Sequence, residues 1–330
     1  MQNDHPEVKF GKTGVLLINL GTPDSTSWWD IRKYLKEFLS DRRVIEVNPL
    51  LWQIILNLFI LTFRPSKTAH AYKKIWRKDS NESPLLYFTR SQAEKLNSKI
   101  GNEKIIVDFA MRYGNPSIKS KLNNLKNAGC ENIIILPLYP QYAAATTATV
   151  CDEVYRSLMG MRWQPSLQVI PHYESEPTYI DALIKSVKEK LGSISWKPDL
   201  IISSYHGIPK KYFDKGDPYH CYCHKTTRLM KENFNEIDIQ TTFQSRFGPQ
   251  EWLTPYTDKT LENLPSKGIK NLLVICPGFA SDCVETLEEI DIQGRESFLE
   301  NGGKNFDLIP CLNDNSDHIN LFEKLIKKYI

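Results

Sequence analysis

Short apolar runs rich in β-branched residues recur along this chain, and segments of helical length lie between them. The runs cover residues 14–20, 104–110, 132–138, 167–171, 199–205, 237–244 and 271–277. Because their apolar residues are consecutive rather than alternating, they predict parallel strands that are buried on both faces. Helix candidates lie between them at residues 91–100, 117–128, 177–191 and 226–234. This alternation predicts a three-layer α/β fold with parallel sheets.

Two of the runs share a pattern that indicates two similar halves. LLINLGTP at 16–23 and LIISSYHGIP at 200–209 each join an apolar strand to a loop containing Gly and Pro. A length of 330 residues also corresponds to two domains at about 150 residues per domain. We expect domains over residues 10–150 and 151–314, with the amphipathic segment 315–330 returning to pack on the first. Ligands of such sheets bind beyond the carboxyl ends of the strands, so these loops are candidate sites.

The composition excludes several classes of protein. With 41% hydrophobic and 25% charged residues, the chain is not disordered, collagenous or a many-span membrane protein. A net charge of +3 argues against nucleic acid as the main partner. Neither GxGxxG after a strand nor GxxxxGK[ST] occurs, which disfavours dinucleotide and P-loop sites. Seven cysteines, an odd number, and a polar N-terminal stretch favour the reducing cytoplasm.

The longest apolar stretch runs from Leu50 to Phe63 and is interrupted by Gln53 and Asn57. A bilayer span takes about 20 apolar residues, so this stretch is too short to cross a membrane. Its apolar residues nearly encircle a helix, and Arg64 follows directly. Burial in the core and contact with a membrane surface both remain open on this pattern.

His206 is the first candidate for chemistry. It follows the apolar run at 199–205 and precedes Gly207 and Pro209, which places it at the carboxyl-end rim of a sheet. An imidazole there can accept a proton or bind a metal ion near neutral pH. The alternative is a structural histidine whose ring is hydrogen-bonded within the fold.

Three carboxylates follow the strand predicted at 271–277. Asp282, Glu285 and Glu289 are spaced by three and four residues, so on an α-helix they share one face. Crowded carboxylates have raised proton affinity and bind hard or borderline divalent cations. A solvated acidic face is the ordinary explanation, but a helix that begins at the end of a strand directs part of this face towards a cleft.

A third candidate contains four possible soft or borderline metal ligands, namely His220, Cys221, Cys223 and His224. Their spacing is tighter than that of the usual C-x₂-C zinc hairpin. A zinc site or a cluster would therefore need further thiolates, for which Cys151, Cys276 and Cys311 are available. Ordinary loop residues are the alternative.

Taken together, these segments resemble the ferrochelatases, which insert Fe²⁺ into a porphyrin in the last step of haem synthesis. The matching motifs, in the family's order between about residues 13 and 300, are LLINLGTP, FLSDRRVIE, SPL at 83–85, RYGNP, LPLYPQYAAATTA, SYHGIP, KGDPY, QSRFGPQEWLTP and FASDCVETLEEID. The resemblance implies two Rossmann-like domains without a nucleotide site and a porphyrin cleft between them. It also implies a lyase that converts protoporphyrin IX and Fe²⁺ to protohaem with release of two protons.

The resemblance implies roles for individual residues. His206 corresponds to the family's active-site histidine, and Glu285 to its catalytic carboxylate partner. Glu289 and Asp282 correspond to the acidic line that leads away from Glu285, so all four are candidate metal-handling residues. The expected porphyrin contacts are Arg112, Tyr113, Tyr72, Ser83, Trp252 and Phe279.

The chain departs from the family's pattern in two ways. Cys283 stands where many members carry a histidine, which puts a metal-relay role at that position in doubt. Some members bind a [2Fe–2S] cluster through four cysteines, often in a C-terminal extension, whereas Cys311 is the only cysteine beyond 283 here. Cys221 and Cys223 could belong to a different arrangement. We expect no cofactor to be required beyond the iron that is the substrate.

Several alternatives stay open on the sequence. They are a chelatase for coproporphyrin III, for cobalt or for nickel, and a non-catalytic tetrapyrrole or metal carrier on the same fold. Several family members meet the membrane through a hydrophobic lip, and the stretch from Leu50 to Phe63 falls in that region. We therefore expect a cytoplasmic monomer or homodimer that can attach to the inner face of a membrane and that prefers the more hydrophobic protoporphyrin IX.

Overall fold

The first half of the chain builds a four-stranded parallel sheet. The computed structural model describes residues 9–330. The strands of this sheet are β1 (Lys12–Thr22), β2 (Ile105–Gly114), β3 (Cys130–Pro137) and β4 (Ser166–Val169). Their spatial order is β2-β1-β3-β4, and every neighbouring pair is parallel.

The second half repeats this arrangement. Its strands are β5 (Leu200–His206), β6 (Ile239–Gln244), β7 (Asn271–Ile275) and β8 (Asn305–Ile309). Their order is β6-β5-β7-β8, again parallel throughout, so β5 takes the place that β1 takes in the first sheet. The predicted α/β fold with two parallel sheets is confirmed, and the two similar sequence segments lie on equivalent strands.

Helices connect the strands, as parallel pairing requires. The α-helices are α1 (Trp28–Leu39), α2 (Pro49–Ile55), α3 (Leu61–Ile75), α4 (Pro84–Ile100), α5 (Ile118–Asn127), α6 (Thr149–Met159), α7 (Pro177–Ser193), α8 (Lys210–Asp214), α9 (Tyr219–Lys231), α10 (Thr257–Asn263), α11 (Arg295–Glu300) and α12 (Ser316–Ile326). The π-helices are π1 (Leu56–Ile60), π2 (Ala144–Ala148) and π3 (Val284–Gly294). A 3₁₀ turn covers Pro265–Lys267.

The core lies on both faces of each sheet. Along β1, Val15 and Leu17 face one apolar cluster, and the intervening Leu16 faces another. The first cluster also contains Ile201 of β5 and Phe322 of α12, so it joins the two halves of the molecule. Burial on both faces explains why the strands read as consecutive apolar residues.

The fourth strand of the first sheet lies beyond residue 150. β4 pairs with β3 from Ser166 to Val169, so both α6 and β4 belong with the first sheet. The chain passes to the strands of the second sheet between Val169 and Leu200, and the boundary expected near residue 150 stays a prediction. The C-terminal helix α12 returns to α4, where Lys99 forms an ion pair with Glu323.

Membrane-spanning length is not reached by any helix within residues 9–330. The helices that the structure describes are too short, or not apolar enough over their length, to cross a bilayer.

The backbones of β1 and β2 approach each other closely at Gly21, near the end of β1. It has a φ of +117°, and an added Cβ would lie 1.8 Å from the carbonyl oxygen of Tyr113. We expect Gly21→Ala to lower the free energy of unfolding by at least about 2 kcal/mol, because the backbone conformation and the strand spacing both oppose a side chain. Urea denaturation followed by circular dichroism measures this change.

Gly192→Ala is the matched control for that substitution. Gly192 lies in α7 with no atom within 4 Å of the added Cβ. Alanine should raise stability there by up to about 1 kcal/mol. Equal denaturation midpoints for the two variants would contradict the steric account of Gly21.

Candidate active site

His206 is the last residue of β5 and lies at the carboxyl edge of the second sheet. It pairs in register with Gln244, the last residue of β6. Its Nδ1 lies 2.6 Å from the carbonyl oxygen of Gly207. Because a carbonyl only accepts, Nδ1 carries the proton of the neutral ring, and Nε2 keeps its lone pair. The half-buried imidazole can therefore act as a base through Nε2.

Glu289 is held by the loop that follows β6. Its Oε1 accepts a hydrogen bond of 2.7 Å from the amide of Ser245, and its Oε2 accepts one from the Ser245 hydroxyl. Ser245 has a φ of +65°, which is uncommon for a residue with a side chain. Gln244 donates to the backbone carbonyl of Glu285 over 2.7 Å. These bonds hold π3 against the end of β6.

The charges of His206, Glu285 and Glu289 influence one another. Desolvation raises the pKa of Glu289, whereas the Ser245 hydrogen bonds and the neighbouring His206 lower it. Glu285 raises it further by like-charge repulsion, and the net shift is upwards. The structure thus brings together the predicted histidine and two of the three predicted carboxylates.

Asp282 does not lie on one helix face with Glu285 and Glu289, as the spacing predicts. Its Oδ2 accepts from the Asn313 side chain over 2.7 Å, and its Oδ1 accepts from the Thr286 hydroxyl over 3.0 Å. Cys283 precedes the first residue of π3, so Asp282 lies outside the helix. The α-helical spacing argument is wrong here because the segment is a π-helix with i→i+5 bonding that begins two residues later. Asp282 anchors the start of π3 to the loop after β8.

Arg112 and Tyr113 are buried and bonded to groups of the chain itself. The Arg112 guanidinium forms an ion pair with Asp41 and donates from Nε to the Thr149 carbonyl over 2.8 Å. The Tyr113 hydroxyl donates to the same Asp41 carboxylate over 2.9 Å. Two groups of the fold thus bind part of the Arg112 guanidinium, and its contact with the porphyrin stays a prediction.

The other predicted porphyrin contacts lie around π3 and the end of β5. Tyr72 is buried in a cluster of the first half, against which Val284 of π3 packs. Burial and the nearby Glu285 raise the pKa of Tyr72. Phe279 is half-buried beside a cluster that contains Cys283. Ser83 is buried and caps α4 by accepting from the Leu86 amide over 3.2 Å.

Trp252 and Phe247 form an aromatic pair beside the His206 strand. Their ring centroids are 5.7 Å apart, and the Trp252 indole donates to the Phe247 carbonyl over 3.0 Å. An added Cβ on Gly207 would meet the Trp252 ring at 3.2 Å, so this glycine lets the indole approach the residue after His206.

Comparison with known proteins assigns the family. The family model for ferrochelatase matches residues 12–330. The ferrochelatase of Allorhizobium ampelinum is 53% identical over 99% of this chain and 96% of its own length. That of Francisella tularensis subsp. novicida is 52% identical over 98% of this chain and 97% of its own length. The chain belongs to the ferrochelatase family. The predicted lyase activity, the terminal step of haem biosynthesis with Fe²⁺ as the metal substrate, is confirmed.

Solved structures share the fold at low sequence identity. SirB from Bacillus subtilis, solved with Fe³⁺, superposes with a TM-score of 0.59 at 11% identity, over 96% of this chain and 95% of that one. DR2241 from Deinococcus radiodurans, described as similar to chelatases, gives a TM-score of 0.55 at 9% identity, over 96% of this chain and 55% of that one. The chelatase-like fold expected of a ferrochelatase is thus confirmed.

Arg64 is a residue that sequence reasoning did not single out. Its guanidinium lies over the Phe247 ring at 5.0 Å from the centroid, and burial lowers its pKa. Within residues 9–330 it forms no ion pair or side-chain hydrogen bond. Arg64 directly follows the apolar stretch 50–63, where a basic residue next to a membrane surface is also expected. Its position in the sequence therefore does not distinguish contact with a membrane from packing on Phe247.

The Cys221 and Cys223 pair does not fit the four-cysteine cluster that some ferrochelatases bind. The two residues lie two positions apart on α9, and Cys221 is exposed whereas Cys223 is buried. Nearby, the His220 and His224 rings lie side by side with centroids 4.4 Å apart. Across the described part of the chain, no three His, Cys, Asp or Glu side chains are arranged to hold a metal ion, and this applies to Glu285 and Glu289 as well.

The raised pKa of Glu289 predicts how stability depends on pH. A carboxylate whose folded-state pKa lies above its unfolded value of 4.5 lowers stability when it is ionised. That loss is complete above the folded-state pKa and disappears as the pH falls through it towards the unfolded value. Glu289→Gln should therefore raise the melting temperature at pH 8 by about 1–3 °C, and the gain should vanish near pH 4.5.

Scanning calorimetry across this pH range measures the effect, with Glu103→Gln as control. Glu103 is exposed in the turn before β2, so its substitution should leave the pH dependence unchanged. A gain for Glu289→Gln that is the same at every pH would show that charge is not the reason.

Proposed function

We propose that this chain converts protoporphyrin IX and Fe²⁺ to protohaem at the junction of β5 and π3. One observation carries the proposal: the free Nε2 of His206 lies at the same edge as Glu285 and Glu289, whose charges are mutually coupled. Two pyrrole N–H bonds break and release two protons, while four Fe–N bonds replace water ligands of the Fe²⁺ ion. The site therefore needs a base, a path for protons and an anionic group next to the Fe²⁺ ion.

His206 is the proposed base. Its Nδ1 proton is directed to the Gly207 carbonyl, so the lone pair of Nε2 is available to accept a pyrrole proton. A base within reach of the proton contributes about 10²–10⁴-fold to a rate. The imidazolium formed is stabilised by Glu289, which already interacts with the charge of His206.

Glu289 is proposed to relay protons, and Glu285 to face the metal. Desolvation gives the Glu289 carboxylate a raised pKa, so it can hold a proton from His206 briefly before releasing it. Glu285 is half-buried, and its charge raises the pKa of Tyr72 on α3. Carboxylate oxygens suit an Fe²⁺ ion that is losing water ligands. Asp282 has no part in this proposal beyond anchoring π3.

Apolar and aromatic side chains of both halves are proposed to hold the macrocycle. Trp252, Phe247 and Tyr72 provide flat apolar surface near the reacting edge. Gripping the ring so that it puckers exposes nitrogen lone pairs at a strain of about 1–5 kcal/mol. Arg64 is the proposed partner of a porphyrin carboxylate, because it is desolvated and has no acidic partner among the described residues. Arg112 instead supports the wall through Asp41.

Metal insertion by single-site variants tests the proposal. We expect His206→Ala and Glu285→Gln each to reduce kcat by at least about 100-fold, because one removes the base and the other the charge next to the metal. Porphyrin binding, followed by fluorescence quenching, should change little. The assay uses anaerobic Fe²⁺ and follows the loss of free-porphyrin fluorescence.

The same assay compares protoporphyrin IX with coproporphyrin III, and Glu103→Gln serves as the unchanged control. Insertion by His206→Ala at close to the unaltered rate would remove His206 from the mechanism. Faster turnover of coproporphyrin III would replace the substrate that we propose.

The helices that follow α1 are proposed to attach to a membrane surface, at the cytoplasmic side. Large apolar side chains there are exposed, with Leu50 at 80%, Leu58 at 63% and Phe63 at 73%. On the opposite side, Leu56 and Leu61 are fully buried in the cluster with Tyr72. A patch of this kind supports interfacial binding, since single exposed apolar residues are ordinary but contiguous ones are not.

Leu58→Glu tests the attachment. Removing one buried leucine from the membrane interface loses roughly 1.5–3 kcal/mol, so association with vesicles should weaken about tenfold or more. Co-sedimentation with vesicles containing phosphatidylglycerol measures it, and circular dichroism checks the fold. Met159→Glu is the matched control, since Met159 is 81% exposed at the end of α6, outside the patch. An equal loss of vesicle binding in both variants would contradict attachment through the exposed apolar patch.

A further inference from the structure

His220 and His224 are two adjacent histidines on α9 that the proposed chemistry does not use. Residues four positions apart on an α-helix are neighbours on one face. The two imidazole rings lie with their centroids 4.4 Å apart. His220 is half-buried and His224 is exposed, so solvent reaches the pair. Within residues 9–330 the two rings contact aromatic side chains, and neither forms a side-chain hydrogen bond or an ion pair.

Aromatic side chains of α8 and β6 hold the two rings in place. The His220 ring stacks on Phe243 of β6 with centroids 5.8 Å apart, and it meets the Phe213 ring of α8 edge-on at 5.1 Å. The His224 ring lies 6.1 Å from the same Phe243 ring. Phe243 is almost fully buried, so it gives both imidazoles a fixed support. Side chains that are already ordered lose less entropy when they bind a ligand.

A pair of neutral imidazoles is suited to borderline divalent cations. Imidazole nitrogen is a common protein ligand for zinc, nickel, copper and iron. Burial lowers the pKa of His220 and of His224, and the neighbouring His220 lowers the pKa of His224 further. Both rings therefore keep lone pairs at neutral pH. Bonds from such a cation to histidine nitrogen are about 2.0–2.1 Å long, so two rings this close can bind one ion.

The histidine pair lies on the face of the second sheet that is opposite to His206. Phe243 pairs in register with Tyr205, and the next residue, Gln244, pairs with His206. Successive side chains of a strand point to opposite faces of the sheet. Because the pair packs on Phe243, the sheet separates it from the face to which His206 belongs. A cation bound by the pair is therefore not the cation that the reaction uses.

We propose that His220 and His224 form a second metal site, which binds a borderline divalent cation such as Ni²⁺ or Zn²⁺ apart from the Fe²⁺ substrate. The two imidazoles supply two ligands, and water supplies the others. The exposed Cys221 lies between them in sequence but is not part of the site, since no three such side chains of the described chain surround one ion. The site does not depend on the function proposed above.

Calorimetric titration with Ni²⁺ tests the site. The His206→Ala variant serves as the parent, so that the histidine of the reaction does not add a second binding event. We expect the parent to bind Ni²⁺. Adding His220→Ala or His224→Ala should weaken binding about tenfold or more, because the second imidazole no longer binds the same ion intramolecularly. Circular dichroism checks the fold of each variant.

Two substitutions serve as matched controls. His70→Gln removes a histidine that is exposed on α3 and lies outside the pair. Cys221→Ser removes the exposed thiol next to His220. Both should leave the affinity for Ni²⁺ unchanged.

Chemical modification of the unaltered chain locates the site without any substitution. Diethyl pyrocarbonate modifies neutral imidazole, and mass spectrometry of peptides identifies the modified residues. Ni²⁺ should reduce the modification of His220 and His224 and leave that of His70 unchanged. This measurement remains informative if an alanine variant does not fold.

Equal affinity for Ni²⁺ in the parent and in both alanine variants would overturn the inference. So would the absence of binding at millimolar Ni²⁺, or equal protection of His70 and the pair from modification. These measurements use neither porphyrin nor metal insertion. The second metal site can therefore fail while the proposed function stands, and the proposed function can fail while the site stands.

Discussion

One buried amide, the side chain of Gln244, connects the three elements on which the site depends. Its Oε1 accepts from the Ser204 hydroxyl of β5 over 2.6 Å, and its Nε2 donates over 2.7 Å to the carbonyl of Glu285 on π3. Gln244 itself ends β6 and pairs in register with His206. An amide has both a donor and an acceptor end, so a single side chain can link a strand to a helix in this way. The position of His206 relative to the carboxylates of π3 therefore depends on this link.

The segment from Asp282 to Glu289 holds four carboxylates in close succession, which would repel one another without specific partners. In the fold, these carboxylates have different hydrogen-bond partners. Asp282 is bonded to Asn313 at the start of the helix, and Glu288 is paired with Lys74. Glu289 is bonded to Ser245 and keeps a raised pKa. Asp282 and Glu288 thus have partners of their own within the fold, which leaves Glu285 and Glu289 for the roles proposed above.

Most of the fold and part of the site can be predicted from the sequence alone. β1, β3, β5 and β7 are consecutive apolar runs, and such runs identify strands buried on both faces. β8 was missed because Asp307 interrupts a strand of five residues, which leaves no clear period. The π-helical start after Cys283 could not be read from α-helical spacing, so Asp282 was placed on the wrong face. His206 and Glu285 follow from motifs, whereas Arg64 over Phe247 and Lys74 beside Glu288 depend on tertiary contacts between distant segments.

One packed unit contains both the surface proposed to bind the membrane and the aromatic residues proposed to hold the porphyrin. Leu56 of π1, Leu61 of α3 and Tyr72 share a single apolar cluster, against which Phe247 and Val284 also pack. Close-packed clusters transmit displacement rather than absorb it. A shift of the exposed helices on a membrane would therefore reach the aromatic wall through Phe247 and π3 through Val284. Lys74 of α3 also forms an ion pair with Glu288 of π3, so these two helices are joined by a charged as well as an apolar contact. The exposed helices and the aromatic residues proposed to hold the porphyrin thus share the same few packing contacts.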